Sequence, residues 1–131
     1  MSADKSVWPR FARRLSKDYR VLIPDLPGHG DTGYLESWTY SAPDFAESMK
    51  RFLDRLAIKQ VHVVGNSLGG FVAAYFALNY PGSTLSATLI DATGVWGIEP
   101  SDMDKLVEQD NVPFFVSSRK EFDHFWKLTM A

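Results

Sequence analysis

Apolar positions along this chain recur in two periods, and the alternation between them sets out the elements. Trp8, Phe11 and Leu15 fall at helical spacing with Pro9 where a first turn tolerates it, so Pro9 to Lys17 is expected as a short helix packing on a sheet. Tyr19 to Pro24 is an apolar run bounded by turn signals, the pattern of a strand buried on both faces. Asp25 to Tyr40 then reads as a Gly-rich loop at that strand's C-terminal end, the ligand-facing edge of an open parallel sheet. Ser41 and Asp44 have capping-box spacing, Pro43 sits in the first turn, and Phe45, Met49, Phe52, Leu53 and Leu56 follow on one helical face. Val61 to Gly65 is the next strand and Leu68 to Asn79 the next helix, in which Gly70, Ala73, Ala74 and Ala77 permit close approach. Pro81 and Gly82 end that helix, and Thr84 to Ile90 gives a third strand.

The order helix, strand, helix, strand, helix, strand predicts an α/β fold of parallel strands joined by right-handed crossovers. Beyond Gly94 the pattern loosens. Ser118 and Glu121 form a second capping box there, and Phe122, Phe125, Trp126 and Thr129 align on one helical face. No internal repeat or low-complexity segment is present.

With 131 residues, 45% of them hydrophobic, the chain has material for one core. Its net charge of −2 comes from 14 basic and 16 acidic residues that are interspersed, without the like-charge runs that serve nucleic acid or an anionic surface. A neutral substrate fits this balance best. The absence of cysteine excludes disulfides, thiol nucleophiles and Cys-ligated zinc, and no His and carboxylate cluster has metal-ligand spacing, so neither metal nor cofactor is expected. No apolar run approaches the roughly 20 residues of a membrane span. A signal peptide is not visible at the N-terminus, which makes a cytoplasmic location the default expectation. Oligomeric state is not legible.

The chemistry concentrates in Val61-His-Val-Val-Gly-Asn-Ser-Leu-Gly-Gly70, an apolar strand that runs into Gly-x-Ser-x-Gly and then an Ala-rich helix. This is the context of a nucleophile elbow, in which Ser67 sits on a turn so sharp that its hydroxyl projects above the sheet. Gly65 and Gly69 supply the small neighbours such a backbone needs, with Asn66 between strand and serine. The helix that follows aims its positive end at the site, and the Leu68 N–H is the expected oxyanion donor. The competing reading is a tight strand-to-helix turn as in dinucleotide folds, with Ser67 incidental. The third glycine of the phosphate-binding fingerprint is absent at the required spacing.

Three segments, Asp25-Leu-Pro-Gly-His-Gly30, Gly65-Asn-Ser-Leu-Gly-Gly70 and Leu89-Ile-Asp-Ala-Thr-Gly94, stand in an order that resembles the α/β-hydrolase superfamily, in its lipase and esterase branch. The opening Ala3-Asp-Lys-Ser-Val-Trp-Pro-Arg-Phe11 resembles the stretch that follows a His-Gly oxyanion loop in such lipases, and the His-Gly pair itself is missing. The resemblance implies a partial α/β-hydrolase fold: residues 1–97 as a core carrying the elbow, and residues 98–131 as the start of a helical cap over an apolar acyl pocket. An ordinary amphipathic helix docking on the body is the equal alternative for the tail.

The machinery implied by the resemblance runs Ser, then Asp or Glu, then His. His124 is the only histidine after Ser67, and it reads as a solvated helix residue rather than the base. His62 reads as a sheet-face or core histidine, and His29 as a loop residue at the site rim. Asp91, after the third strand, reads first as a loop-capping carboxylate and second as a candidate triad acid; Asp25 reads as the anchor of its own Gly-rich turn. The second oxyanion donor would fall at or before Met1. The chain is therefore expected to be an internal piece of a longer hydrolase, and by itself inactive for want of the catalytic histidine.

The leading function is hydrolysis of a small apolar carboxylic ester through an acyl intermediate on Ser67. A carbon–carbon bond hydrolase of the ring-cleavage type shares the Gly-Asn-Ser elbow and is the alternative among enzymes. The alternative of another class is a noncatalytic truncated α/β module. Dehalogenases and epoxide hydrolases of this fold use aspartate as nucleophile, and Ser67 disfavours both.

Overall fold

The computed structural model describes residues 4–94, 105, 118–121 and 123. Residues 2–93 form one compact unit, and residue 1 with 94–131 forms another. Within the larger unit a 3-10 turn, Lys5–Val7, precedes α1 (Pro9–Leu15), α2 (Ala42–Arg55), β1 (Val61–Asn66), α3 (Leu68–Asn79) and β2 (Thr84–Ile90).

Helix α2 begins where its sequence says it should. The Ser41 hydroxyl accepts the Asp44 N–H at 3.4 Å, and the Asp44 carboxylate accepts the Ser41 N–H at 3.4 Å and the Thr39 N–H at 3.2 Å. The Thr39 hydroxyl also donates to the Asp44 carboxylate, and that bond foremost, with those from Ser41 and the Thr39 N–H, holds the Asp44 carboxyl below its usual range. Phe45, Ala46 and Leu53 on its apolar stripe are buried, and Met49 and Phe52 pack beside them. The helix closes with a Schellman motif: the Ala57 N–H donates to the Asp54 carbonyl at 3.0 Å and the Ile58 N–H to the Leu53 carbonyl at 2.9 Å, with Ala57 at φ 55°.

The core lies between α2 and α3, where Ala46 and Leu53 meet Phe76, with Leu22, Ile58, Val61, Val63, Tyr75 and Tyr80 packed around them. Beneath α3, β1 and β2 pair in parallel, from Val61 opposite Thr84 to Asn66 opposite Ile90, with one irregularity between Val61 and His62. Val61 and Val63 are half-buried and Gly65 is buried, while His62, Val64 and Asn66 are exposed, so β1 shows the period of a strand covered on one face.

Two expectations about packing do not hold. Tyr19 to Pro24 forms no strand: it has no ladder partner among the described residues, its Val21, Leu22 and Ile23 are half-buried, and Tyr19 is 55% exposed. A strand exists only as half of a ladder, so an apolar run without a neighbour keeps its hydrophobicity and loses the element. Helix α1 buries no residue, and Phe11 on its apolar stripe remains 45% exposed rather than packed on the sheet.

In the smaller unit, the Ser118 N–H donates to the Glu121 carboxylate at 3.1 Å and the Glu121 N–H to the Ser118 hydroxyl at 3.2 Å, closing the second capping box. An i,i+4 ion pair joins Arg119 to Asp123 at 2.9 Å. Phe122, His124, Phe125, Trp126 and Thr129 lie outside the described residues. No helix of the described residues is long and apolar enough to cross a membrane.

Candidate functional site

Ser67 stands alone between the last residue of β1 and the first of α3, at φ 53° and ψ −121°. A side chain bearing this backbone is strained, and the strain persists only where the surroundings impose it. Gly65 is one cause. A Cβ there would overlap the carbonyl of Gly69, so the strand end and the first turn of α3 can approach this closely only at a glycine. Gly69 itself is different, because a Cβ at that position meets no described atom within 4 Å. Sterics thus demand a glycine at Gly65, while at Gly69 the close approach is made by the backbone carbonyl.

The turn is tied to the end of β2. The Ser67 N–H donates to the Ile90 carbonyl at 3.0 Å, and the Asn66 side-chain amide donates to the same carbonyl at 3.2 Å. The Ser67 carbonyl in turn accepts the N–H groups of Gly70 at 2.9 Å, Phe71 at 3.1 Å and Thr93 at 3.3 Å. With its own N–H committed, Ser67 has none to offer a ligand. The Leu68 N–H, first of α3, has no backbone acceptor among the described residues and stands at the positive end of the helix. Ser67 and Leu68 are both exposed residues at this turn.

Asp91 follows β2 directly, at φ 45° and exposed, one position beyond the pair Asn66 and Ile90. The register thus brings Ser67 and Asp91 to the same end of the sheet. The two described histidines have partners elsewhere. His62 Nδ1 lies 2.8 Å from Ser86 Oγ on the exposed sheet face, with the ring edge-on to Tyr19 at 5.7 Å. His29 Nδ1 lies 3.1 Å from the Pro27 carbonyl, and its ring is edge-on to Phe45 at 6.1 Å. His124 lies outside the described residues.

Asp25 anchors its loop as its position suggests. Its side chain, 2% exposed, accepts the Asp31 N–H at 3.0 Å, the Lys5 N–H at 2.6 Å and the Lys5 ammonium at 2.8 Å, while its carbonyl accepts the Thr32 hydroxyl at 2.9 Å. The Lys5 ammonium first, then the two backbone N–H groups, pulls the Asp25 carboxyl down to about 2. The same bond, with a second to Asp31, raises the Lys5 ammonium above its ordinary range. Gly30 sits at φ 51° against the Asp25 carboxylate, where a Cβ would overlap it. Among the described residues no group of three His, Cys, Asp or Glu could hold a metal ion.

The serine turn is marked by its local pattern of strand, small residues and helix; what holds it, the double use of the Ile90 carbonyl and the return of Thr93, leaves no such local mark. Those partners are set by strand register. The only sequence trace is the pair of small residues Gly70 and Ala92, which the fold presses together.

Comparison with known proteins fits this geometry. The family described as alpha/beta hydrolase fold matches residues 2–119. Lipase 1 of Psychrobacter immobilis is 29% identical over 130 residues, 97% of this chain and 40% of that protein. The 2-hydroxy-6-oxo-2,4-heptadienoate hydrolase of Pseudomonas putida is 31% identical over 105 residues, 72% of this chain and 38% of that protein. Among solved structures, a membrane phospholipase A described as a bacterial virulence factor superposes with a TM-score of 0.82 at 34% identity, over 95% of this chain and 40% of that one. The chain thus spans about two fifths of the length of these relatives.

Proposed function

The chain belongs to the α/β-hydrolase superfamily, on its lipase and esterase side, and from that membership we propose that it carries the nucleophilic part of a serine hydrolase acting on small apolar carboxylic esters. Ser67 Oγ attacks the ester carbonyl carbon, its proton passes to a base, the alcohol leaves, and water releases the acyl group from the acyl-serine. The Leu68 N–H stabilises the tetrahedral oxyanion, aided by the positive end of α3. The observation that carries this reading is the strained backbone of Ser67 at the strand-to-helix junction beside the uncommitted Leu68 N–H. Asp91, at the same end of the sheet, is the candidate acid of this chain.

Among the described residues no hydrogen bond joins a histidine to Ser67: His62 Nδ1 lies against the Ser86 hydroxyl and His29 Nδ1 against the Pro27 carbonyl. With no base assigned among the described residues, the 131-residue chain by itself is expected to be inactive as a turning-over enzyme, with at most slow acylation of Ser67. Enzymes of this kind that lose a triad member keep roughly 10³ to 10⁴ of acceleration from the oxyanion hole and binding. Incubation with a p-nitrophenyl ester of a short fatty acid tests the proposal. An acyl adduct is expected on Ser67 by mass spectrometry, lost in Ser67→Ala; nitrophenol release that is equal in both proteins would refute it.

Likeness to the heptadienoate hydrolase favours a second reading, cleavage of a carbon–carbon bond in a ring-cleavage product. Loss of the dienoate absorbance that depends on Ser67, without acylation by the ester, would select it. Inertness of Ser67 toward both substrates would leave a noncatalytic α/β module.

A further inference from the structure

We propose that Asn66 is a positioning residue for Ser67, acting through the backbone carbonyl of Ile90; the proposal rests on Ser67 being the nucleophile. A φ of 53° and ψ of −121° at a serine is held only if neighbouring groups over-determine it. One of those groups is the Ile90 carbonyl, the last of β2, which accepts the Ser67 N–H at 3.0 Å. It belongs to the last residue of the ladder, itself exposed, where strand pairing constrains its direction least.

Asn66 removes that freedom. It is the register partner of Ile90, and its amide donates at 3.2 Å to the carbonyl that already holds Ser67, filling the second lone pair. The carbonyl is then fixed between two donors from consecutive residues. A side chain of this length with an N–H at its tip spans the gap between paired strands; aspartate has the shape without the donor, and alanine has neither.

The chain beyond Ile90 completes the brace. Asp91 turns through φ 45°, Thr93 returns its N–H to the Ser67 carbonyl at 3.3 Å, and Ala92 lies so close to the first turn of α3 that a Cβ on Gly70 would come within 2.6 Å of its methyl. Ser67 is thereby held through its N–H by Ile90 and through its carbonyl by Thr93. Asn66 is the member of this set whose side chain alone makes the tie, and its exposure means the tie can be removed without opening the core.

The test compares the full chain with Asn66→Ala and Asn66→Asp. Three quantities are read: the Ile90 carbonyl carbon resonance, hydrogen exchange of the Ser67 amide, and the rate of fluorophosphonate labelling at Ser67. In both variants the Ile90 resonance is expected to move, the Ser67 amide to exchange about tenfold faster and labelling to slow by about tenfold, the scale of one hydrogen bond. The thermal midpoint should stay within a few degrees, which separates positioning from general destabilisation. A wild-type chain that labels at Ser67 and variants that label equally fast with an unmoved Ile90 resonance would overturn the role of Asn66 alone. A wild-type chain that does not label at Ser67 overturns the nucleophile reading and the positioning role with it.

Discussion

At Gly65 and Gly69 the same residue type meets two different demands. A Cβ at 65 runs into the Gly69 carbonyl, whereas one at 69 has open space and helical backbone. Gly65→Ala is expected to cost about 3 kcal/mol, the scale of overpacking a tight contact, and to abolish acylation of Ser67 as the turn shifts. Gly69→Ala should leave stability unchanged or raise it by up to about 1 kcal/mol from helix propensity. Urea unfolding of the two variants checks the contrast, and equal destabilisation would contradict it. The motif reads the same for both glycines because a pattern of letters does not say whose backbone approaches whose. Ser67 itself was legible for the opposite reason, since a strand, a small-residue turn and a helix in succession are local facts.

Helix α2 shows how far local information reaches. Its cap, its first turn and most of its apolar stripe were legible, because each depends on residues within one or two turns of one another; Leu56 at the end of that stripe is exposed, and Ala42 and Ala46 beside it are buried. Its C-terminal device was not, as the left-handed position is filled by Ala57 where glycine is the usual signal. That mismatch makes a forecast: Ala57→Gly relieves the backbone strain and should stabilise the chain by about 1 kcal/mol, seen as a higher urea midpoint. A lower midpoint would mean that the loss of chain entropy at glycine outweighs the relief. Tyr19 to Pro24 marks the other limit. Its apolar pattern predicts a strand that does not form, because strand pairing is decided by what lies alongside and not by the run itself.

At the scale of the molecule, the loop from Asp25 is fastened to the N-terminal turn by one buried carboxylate and Lys5. Because the Asp25 carboxyl lies at about 2 in the fold against an ordinary 3.8, its contribution is fully present above the ordinary value and fades as pH falls through the folded one. The Lys5 side of the pair behaves oppositely, holding below its ordinary 10.5 and weakening as pH rises beyond it. Asp25→Asn should therefore lower the thermal midpoint at neutral pH and flatten the loss of stability between about pH 4 and pH 2. Asp4 and Asp44, also held below the usual range by hydrogen bonds led by Ser6 and Thr39, would keep part of that acid limb. An unchanged limb would show that the Asp25 anchor does not couple to folding.

The central claim is that the position of Ser67, at a strained turn under a helix N-terminus, makes it the nucleophile of this chain. Ser86 is the internal rival, because it has a histidine at 2.8 Å and lacks the turn and the helix end. The most direct measurement is fluorophosphonate treatment of the full chain followed by peptide mapping of every modified serine. The account predicts modification at Ser67 at least about tenfold above any other serine, the preference that one oxyanion donor readily supplies. Modification centred on Ser86, or spread evenly over the exposed serines, would contradict it.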